Sequence, residues 1–257
     1  MNKRIAEALE KRYSLEGKRG IVTGGSAGLG KGISLTLAEA GAEVFVFSRS
    51  GGFKGDQKSD SENIHHITVD VTDRISCKKY IDEIGSDGID FLVNNAGISE
   101  RVKVTDIDPE IWRKIQAVTV EAVYTLCQFA HPYLSKAPDA GRIINISSMA
   151  AHLGFSEVVP YVASKSAVLG MTRGLGVEWA QDNILVNSIS PGWFKTELLD
   201  KILDKEREKK ILNRMPLHRY GKLDELADVV LFLVSPAASY ITGQDIPVDG
   251  GALAFGY

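Results

Sequence analysis

A tyrosine and a lysine four residues apart offer the most distinctive chemistry in this sequence. Tyr161 and Lys165 are the ends of the segment Tyr-Val-Ala-Ser-Lys, and this spacing on a helix places both side chains on one face. A tyrosine phenol has an ordinary pKa of about 10, so an ammonium that favours the phenolate makes it a better proton-transfer group near neutral pH. The pair alone is also typical of a solvated helix surface, and its meaning depends on the elements around it.

A glycine-rich turn lies between a predicted strand and a predicted helix near the start of the chain. The strand at 19–22 leads into Thr-Gly-Gly-Ser-Ala-Gly-Leu-Gly at 23–30, and a helix is predicted over 33–40. Glycines let the backbone approach a pyrophosphate, and the start of a helix attracts its charge. Gly25 to Lys31 also fits a triphosphate loop, but that motif fails at Gly32, where serine or threonine would bind magnesium. A purely structural turn is the other alternative.

The residues after the second predicted strand, 42–47, bear on the choice between two dinucleotides. An acidic residue here would bind the ribose 2′-hydroxyl of NAD, whereas an arginine accommodates the 2′-phosphate of NADP. The chain has Ser48 and Arg49, with Lys54 as a further cation. The sequence therefore predicts that NADP is preferred, with NAD as the alternative if Arg49 is only a solvated charge.

The rest of the chain alternates between predicted strands and predicted helices. This alternation predicts an α/β fold with a doubly wound parallel sheet. Further strands are expected at 64–69, 89–93, 142–147, 184–189 and 243–248, and helices at 74–84, 109–134, 161–180 and 223–234. Polar or small residues follow several strands, at the edge where open parallel sheets bind ligands: Asp70 and Val71, Asn94 to Gly97, Ser147 and Ser148, and Pro191 with Gly192.

Composition narrows the class of protein. The 257 residues are 44% hydrophobic and 25% charged, which predicts a globular domain over 15–257 after a short helical extension at 1–14. A formal net charge of -3 gives no basic field for nucleic acid or an anionic membrane. No signal peptide or membrane span is expected, and a small-molecule substrate is the partner that remains.

Cysteine and histidine usage predicts neither a disulfide framework nor a metal site. Cys77 and Cys127 are too few and too far apart for either, and they fit a reducing cytoplasm. His65 and His66 are adjacent on a predicted strand and therefore face opposite sides. The charged segment 197–215 is predicted to cover the pocket as a lid, although a solvated helix is the alternative.

Taken in order, these motifs resemble the short-chain dehydrogenase/reductase family over residues 15–251, nearly the whole chain. The motifs are the glycine turn at 23–30, Asn94 to Gly97, Ser148, Tyr161 with Lys165, Pro191 with Gly192, and Asp249 to Gly251. The resemblance implies a single seven-stranded Rossmann-type domain with helices on both faces. It also implies hydride transfer between a nicotinamide and a secondary alcohol or ketone, and a homotetramer formed through helices 109–134 and 161–180.

The resemblance also assigns roles by position. Ser148 would bind the carbonyl oxygen, Tyr161 would transfer the proton, and Lys165 would assist the tyrosine and contact the nicotinamide ribose. Thr119 departs from the pattern, because the family usually has an asparagine there that holds a proton-relay water. A threonine hydroxyl can also bind water, so a slowed relay is expected. The implied cofactor-binding residues are Gly24, Ser26, Gly28, Leu29, Gly30, Ser48, Arg49, Asp70, Val71, Asn95, Ala96, Gly97, Tyr161, Lys165, Pro191, Gly192, Phe194 and Thr196.

Two segments resemble the branch of the family that interconverts sugar acids and their keto forms, notably gluconate 5-dehydrogenases. They are 94–101 and 192–198. The resemblance implies that Arg101 pairs with a substrate carboxylate and that the substrate also contacts Ser148, His152, Tyr161 and Trp193. A polyol or a 3-oxoacyl thioester is the alternative substrate. An alternative of another class is a dinucleotide-binding sensor or scaffold without turnover. Its only support is Thr119 at the position where the family usually has an asparagine.

Overall fold

Seven parallel strands form the centre of the fold in the computed structural model, which describes residues 3–53, 61–195 and 205–255. They follow the spatial order β3-β2-β1-β4-β5-β6-β7, and every neighbouring pair is parallel. The predicted doubly wound, seven-stranded sheet is therefore confirmed. The strands are β1 Arg19–Thr23, β2 Glu43–Ser48, β3 Ile64–Thr68, β4 Phe91–Asn94, β5 Gly141–Ile146, β6 Ile184–Pro191 and β7 Asp245–Val248.

Helices cover both faces of this sheet. They are α1 Lys3–Tyr13, α2 Gly28–Glu39, α3 Arg74–Gly85, α4 Pro109–Gln116, α5 Ala122–Leu134, α6 Val159–Glu178, α7 Lys205–Arg214 and α8 Leu223–Val234. Single 3-10 turns occur at Val104–Asp106, Met149–Ala151, Ala180–Asp182 and Pro236–Ala238. Among the described residues, no helix is long and apolar enough to span a membrane.

Two apolar cores fill the space between the helices and the sheet. On one face, α2 and α8 pack through Leu37 and Val230 among others. On the other face, α3 and α5 pack through Ile81 and Leu126 among others. Because both faces are covered, the central strands are almost continuously buried and read as apolar runs in the sequence. The strand order reverses between β1 and β4, and such a reversal opens a crevice at the carboxyl ends of the strands.

The predicted continuous helix over 109–134 is wrong in one detail. It begins as expected, with the Asp108 carboxylate accepting a hydrogen bond from the Glu110 amide and Pro109 in the first turn. It then contains a π-helical turn, Ala117–Glu121, between α4 and α5. This turn includes Val118, Thr119 and Val120, whose β-branched side chains are poor helix formers, and π-turns frequently occur at functional sites.

The predicted extension and the predicted lid both include helices. None of the residues of α1 is buried, so this helix lies on the outside of the fold. The lid segment 197–215 includes α7, while its first part lies outside the described residues, as do Lys54 and Thr196.

Candidate active site

Helix α6 and the end of β5 bring Ser148, Tyr161 and Lys165 together. The Ser148 hydroxyl forms a hydrogen bond with the Tyr161 phenol, and the Lys165 ammonium lies 5.6 Å from the centre of the tyrosine ring. The neighbouring Ser147 hydroxyl instead donates to the Lys165 carbonyl at 3.3 Å. The serine that the family resemblance selects is therefore the one beside the phenol. Pro160 in the first turn of α6 fixes where this helix begins.

Burial shifts the pKa values of the tyrosine and the lysine in opposite directions. Desolvation lowers the pKa of Lys165 to about 8, because it penalises the ammonium. Desolvation also raises the pKa of Tyr161, against the smaller opposite effect of its hydrogen bond with Ser148. The spacing predicts that Lys165 lowers the pKa of Tyr161, and this is wrong for the structure. The ammonium donates instead to the Ile146 carbonyl at 2.7 Å.

Thr119 faces the same polar spot as the Lys165 ammonium. Its side chain is fully buried in the π-turn, and its hydroxyl has no hydrogen-bond partner in the part of the chain that the structure describes. A methyl group added to Gly97 would lie 3.5 Å from the Lys165 nitrogen and 3.9 Å from the Thr119 hydroxyl. Since Gly97 has no side chain, the space between the two groups stays open.

The glycine turn is tied directly to the end of β4. The Asn95 side-chain amide donates to the carbonyls of Thr23 and Gly24 at 3.0 Å and 3.1 Å. The Thr23 hydroxyl in turn accepts from the backbone amides of Asn95 and Ala96, both at 3.0 Å. These four bonds cross the point where the strand order reverses. They hold the turn and the start of the β4–α4 loop at a fixed separation.

The geometry of the turn requires glycine at several of its positions. Gly24 and Gly28 have φ values of +62° and +53°, in the left-handed region that favours glycine. A methyl group at Gly30 would overlap the Gly24 carbonyl and lie 2.5 Å from the Asn95 amide nitrogen. No side chain caps the start of α2, so its first backbone N–H groups face the turn. This cradle fits a pyrophosphate.

A cleft of about 360 Å³ extends from this cradle along the carboxyl edge of the sheet. Its walls come from the glycine turn, the ends of β2 and β3, the β4–α4 loop and the start of the π-turn. The residues that line it include Gly24, Ser26, Ser48, Arg49, Asp70, Val71, Ala96 and Gly97. Gly97 connects the cleft with the Tyr161–Lys165 group. The cleft therefore has the position and the size expected for a dinucleotide.

Arg49 and Asp70 lie at the far end of this cleft. The Asp70 carboxylate accepts hydrogen bonds from the Thr72 amide at 2.9 Å and its hydroxyl at 2.7 Å. These two bonds lower the pKa of Asp70, with a smaller contribution from the charge of Arg49. Ser50, which follows β2, is connected to the glycine turn because its hydroxyl donates a hydrogen bond to the Ser26 hydroxyl at 3.0 Å.

The segment after β6 leaves the sheet at the same carboxyl edge. The Gly192 amide donates to the Val248 carbonyl at 2.9 Å, which fixes the turn after Pro191. Phe194 is buried and packs against Gly221. Trp193 packs into a small apolar cluster with Met149, Met215 and neighbouring side chains. Thr196, one of the implied cofactor-binding residues, lies outside the described residues.

Two predicted substrate contacts are engaged with other residues. Arg101 forms an ion pair with Glu157, and the Val102 amide donates to the Glu157 carbonyl at 2.7 Å. The His152 ring is hydrogen-bonded to Asp245 at 2.8 Å. Neither residue belongs to the lining of the cleft. The structure therefore places Ser148, Tyr161 and Lys165 together and lines the cleft with part of the predicted cofactor residues, but it leaves Arg101 and His152 outside that lining.

Comparisons with known proteins decide the family. Residues 24–252 match the family model described as enoyl-(acyl carrier protein) reductase. A tropinone reductase homologue of Arabidopsis thaliana is 37% identical over 256 residues, covering 96% of this chain and 97% of the relative. A 2-dehydro-3-deoxy-D-gluconate 5-dehydrogenase of Bacillus subtilis is 36% identical over 251 residues, covering 96% and 98%. The chain belongs to the short-chain dehydrogenase/reductase family.

Solved structures agree with this assignment. The crystal structure of a gluconate 5-dehydrogenase from Burkholderia cenocepacia, in complex with NADP and tartrate, has a TM-score of 0.87 and 30% sequence identity. The similarity covers 96% of this chain and 100% of that chain. This chain is thus a nicotinamide-dependent oxidoreductase that acts on CH–OH and keto groups.

As a short-chain dehydrogenase/reductase, the chain divides the chemistry between cofactor and protein. The bound nicotinamide supplies the hydride. In the roles that the family resemblance implies, Ser148 would donate a hydrogen bond to the substrate oxygen and Tyr161 would give its proton to the forming alkoxide. The contact between these two side chains is compatible with those roles. Lys165 holds a positive charge beneath the tyrosine ring. Because all three groups meet at one place, the structure does not favour a sensor without turnover.

Sequence reasoning missed several residues of this site. Lys114, Ala117 and Val118 line the cleft from α4 and the π-turn, and Ser50 and Thr72 line its far end. The spacing of residues 114, 117 and 118 is typical of one face of a helix. This spacing could have indicated that the helix lines the cleft. Nothing in the sequence signals the partners of Arg101 and His152.

Proposed function

We propose that this short-chain dehydrogenase/reductase interconverts a sugar acid or polyol with its keto form, with NADP as the preferred cofactor. The proposal is supported by the relatives named for gluconate derivatives and by one charge in the structure. That charge is Arg101, whose side chain is 60% exposed and which lies in the loop that follows Gly97. A planar guanidinium binds a carboxylate with two parallel hydrogen bonds.

Arg101 and Glu157 together join the two loops that flank the catalytic residues. Glu157 lies four residues before Tyr161, and Arg101 lies four residues after Gly97. Glu157 has a φ of +66°, a conformation that side chains rarely adopt. Its side chain, only 28% exposed, pairs with the more exposed Arg101 guanidinium. We infer that a substrate carboxylate shares or takes over this guanidinium.

A substrate screen tests the proposal. Gluconate, 5-ketogluconate, neutral polyols and an acetoacetyl thioester are offered to the enzyme with each cofactor. We expect turnover of the sugar acids, and we expect Arg101→Ala to raise their KM by about tenfold or more. The KM for a neutral polyol is the internal control and stays within about twofold. Turnover of the thioester alone would identify the 3-oxoacyl thioester as the substrate instead.

The preference for NADP rests on Arg49. It lines the far end of the cleft with Ser48 and Ser50, where the adenosine ribose of a dinucleotide is expected. We expect Arg49→Ala to lower kcat/KM for NADP by about tenfold or more and to change that for NAD by less than about threefold. Equal losses with both cofactors would contradict the preference.

The remaining family features are proposals of the same kind. We propose that α7 covers the substrate, because Ile211 and Met215 pack against Met149, the neighbour of Ser148. We also propose a homotetramer through α4, α5 and α6, and a location in the cytoplasm. The two cysteines are free and buried, as expected in a reducing compartment.

A further inference from the structure

A carboxylate behind the catalytic serine gathers hydrogen bonds from two different segments. The Asp245 oxygens lie 2.8 Å from the His152 ring nitrogen Nε2 and accept from the hydroxyls of Ser188 and Ser190 at 2.6 Å and 2.8 Å. A carboxylate only accepts hydrogen bonds when ionised, so Nε2 carries the proton. Asp245 thus links the β5–α6 loop, which contains His152, to β6.

His152 ends the short turn that Ser148 begins. The Ser148 oxygen accepts from the Ala150 amide at 3.1 Å at the start of the 3-10 turn Met149–Ala151. At the other end, the His152 amide donates to the Met149 carbonyl at 3.1 Å. One turn of 3-10 helix has a tight, short backbone. A shift of His152 is therefore transmitted to Ser148.

Burial distinguishes this link from an ordinary surface pair. The side chain of Asp245 is only 14% exposed, and that of His152 is 35% exposed. Ser188 and Ser190 are fully buried. A charge removed from water and satisfied by three donors resists displacement, because losing a donor leaves a costly unpaired group. By contrast, the His65–Glu43 pair, at 3.0 Å, is 44% and 37% exposed and joins β3 to β2.

We propose that His152 is a positioning residue, whose link to Asp245 holds the turn that presents Ser148 to Tyr161. This role takes the place of the substrate contact that the family resemblance implies for His152. Asp245 acts through the same link, and its bonds to Ser188 and Ser190 also hold β6 against β7 just before Pro191. The positioning role of His152 does not depend on the identity of the substrate, because it applies to hydride transfer to any carbonyl group.

Two polar substitutions of similar character test the link. His152→Gln keeps an N–H donor near the position of Nε2, whereas the side chain of His152→Asn is one methylene shorter and does not reach Asp245. We expect kcat within about threefold of wild type for the glutamine variant and lower by about tenfold or more for the asparagine variant, since small displacements of a catalytic group are costly. The Kd of the cofactor stays within about twofold in both.

The matched control is His65→Asn, which makes the same change in a histidine–carboxylate pair outside the site. Its kcat stays within about twofold of wild type. Combining His152→Asn with Asp245→Asn costs no more than the larger single loss if the two residues act as a unit. Equal kcat for the asparagine and glutamine variants of His152, or multiplied losses in the double variant, would overturn the proposal.

Amide hydrogen exchange provides a readout that needs no substrate. We expect faster exchange over residues 147–158 in His152→Asn than in wild type and His152→Gln, with exchange elsewhere unchanged. Hydride transfer is measured on whichever ketone the wild-type enzyme reduces, so failure of the sugar-acid proposal leaves this test intact. Unchanged exchange over 147–158 in His152→Asn would also contradict the link.

Discussion

At the scale of single residues, the buried ammonium of Lys165 gives the enzyme a specific pH dependence. Its pKa falls on folding from about 10.5 to about 8 because the side chain is desolvated. Between these values the unfolded chain binds more protons than the folded chain, so this group makes the free energy of unfolding rise with pH. Tyr161 acts oppositely, because its raised pKa lowers stability as the pH rises above about 10.

Lys165→Met isolates the lysine contribution. The stability of wild type relative to this variant is expected to increase between pH 8 and 10 by an amount on the order of 2 kcal/mol. Urea unfolding of both proteins across this range measures the difference, and groups common to both cancel. A difference that stays constant with pH would mean that Lys165 keeps its ordinary pKa in the folded protein.

Thr119 is expected to trade stability for function. Its buried hydroxyl lacks a partner within residues 3–53, 61–195 and 205–255, and an unsatisfied hydroxyl is destabilising. Thr119→Val keeps the shape, so we expect the free energy of unfolding to rise by about 1 kcal/mol. Turnover is expected to fall by about tenfold, because the hydroxyl that faces Lys165 is lost. Urea unfolding and steady-state kinetics measure the two effects.

Thr125→Val is the matched control for Thr119. Thr125 is also buried, but its hydroxyl accepts a hydrogen bond from Arg74 at 2.5 Å. The same substitution therefore destabilises the protein and leaves turnover unchanged. If Thr119→Val keeps wild-type turnover, the hydroxyl plays no part in proton transfer.

Spacing along the chain predicts local geometry but not distant partners. The four-residue interval between Tyr161 and Lys165 predicts a shared helix face, and the structure confirms that they lie close together. It does not predict that the ammonium binds the Ile146 carbonyl, because this depends on how α6 packs on β5. Arg101 and His152 likewise find their partners 56 and 93 residues away.

At the scale of elements, the glycine turn works because it fits closely against β4. Gly30→Ala places a methyl group on the Gly24 carbonyl and the Asn95 amide, and it therefore separates the turn from β4. We expect the Kd of the cofactor to rise by at least about tenfold, measured by fluorescence titration. Gly170→Ala is the control, because a methyl group there meets nothing within 4 Å and improves helix propensity. Equal Kd values for both variants would contradict the close fit.

The glycine turn is an element that the sequence predicts on its own. A strand, a glycine turn and a helix in succession predict a phosphate cradle, because each part has a local signature. The π-turn at Ala117–Glu121 has no such signature, since its residues are also compatible with a continuous helix. Its position opposite Gly97 and Lys165 depends on tertiary packing, which sequence periodicity does not encode.

At the scale of the whole molecule, the alternation of strands and helices was enough to predict the sheet. Parallel strands must be covered on both faces, so their apolar runs are long and their connections helical. The same reasoning does not predict which helices also meet another subunit. The proposed tetramer is supported by exposed apolar side chains on α4, α5 and α6, namely Trp112, Tyr124, Val159 and Val177, which are 43%, 51%, 43% and 79% exposed.

Val177 provides the sharpest test of the proposed tetramer. A single carboxylate in the centre of an apolar interface lacks a partner and is strongly unfavourable. We therefore expect Val177→Glu to convert the tetramer into smaller species at micromolar concentration, as measured by sedimentation velocity. Ile75→Glu on α3 is the control, because Ile75 is 85% exposed but lies outside α4, α5 and α6. If neither substitution changes the sedimentation of the protein, α6 is not part of a subunit interface, and the apolar side chains on these helices remain facing solvent.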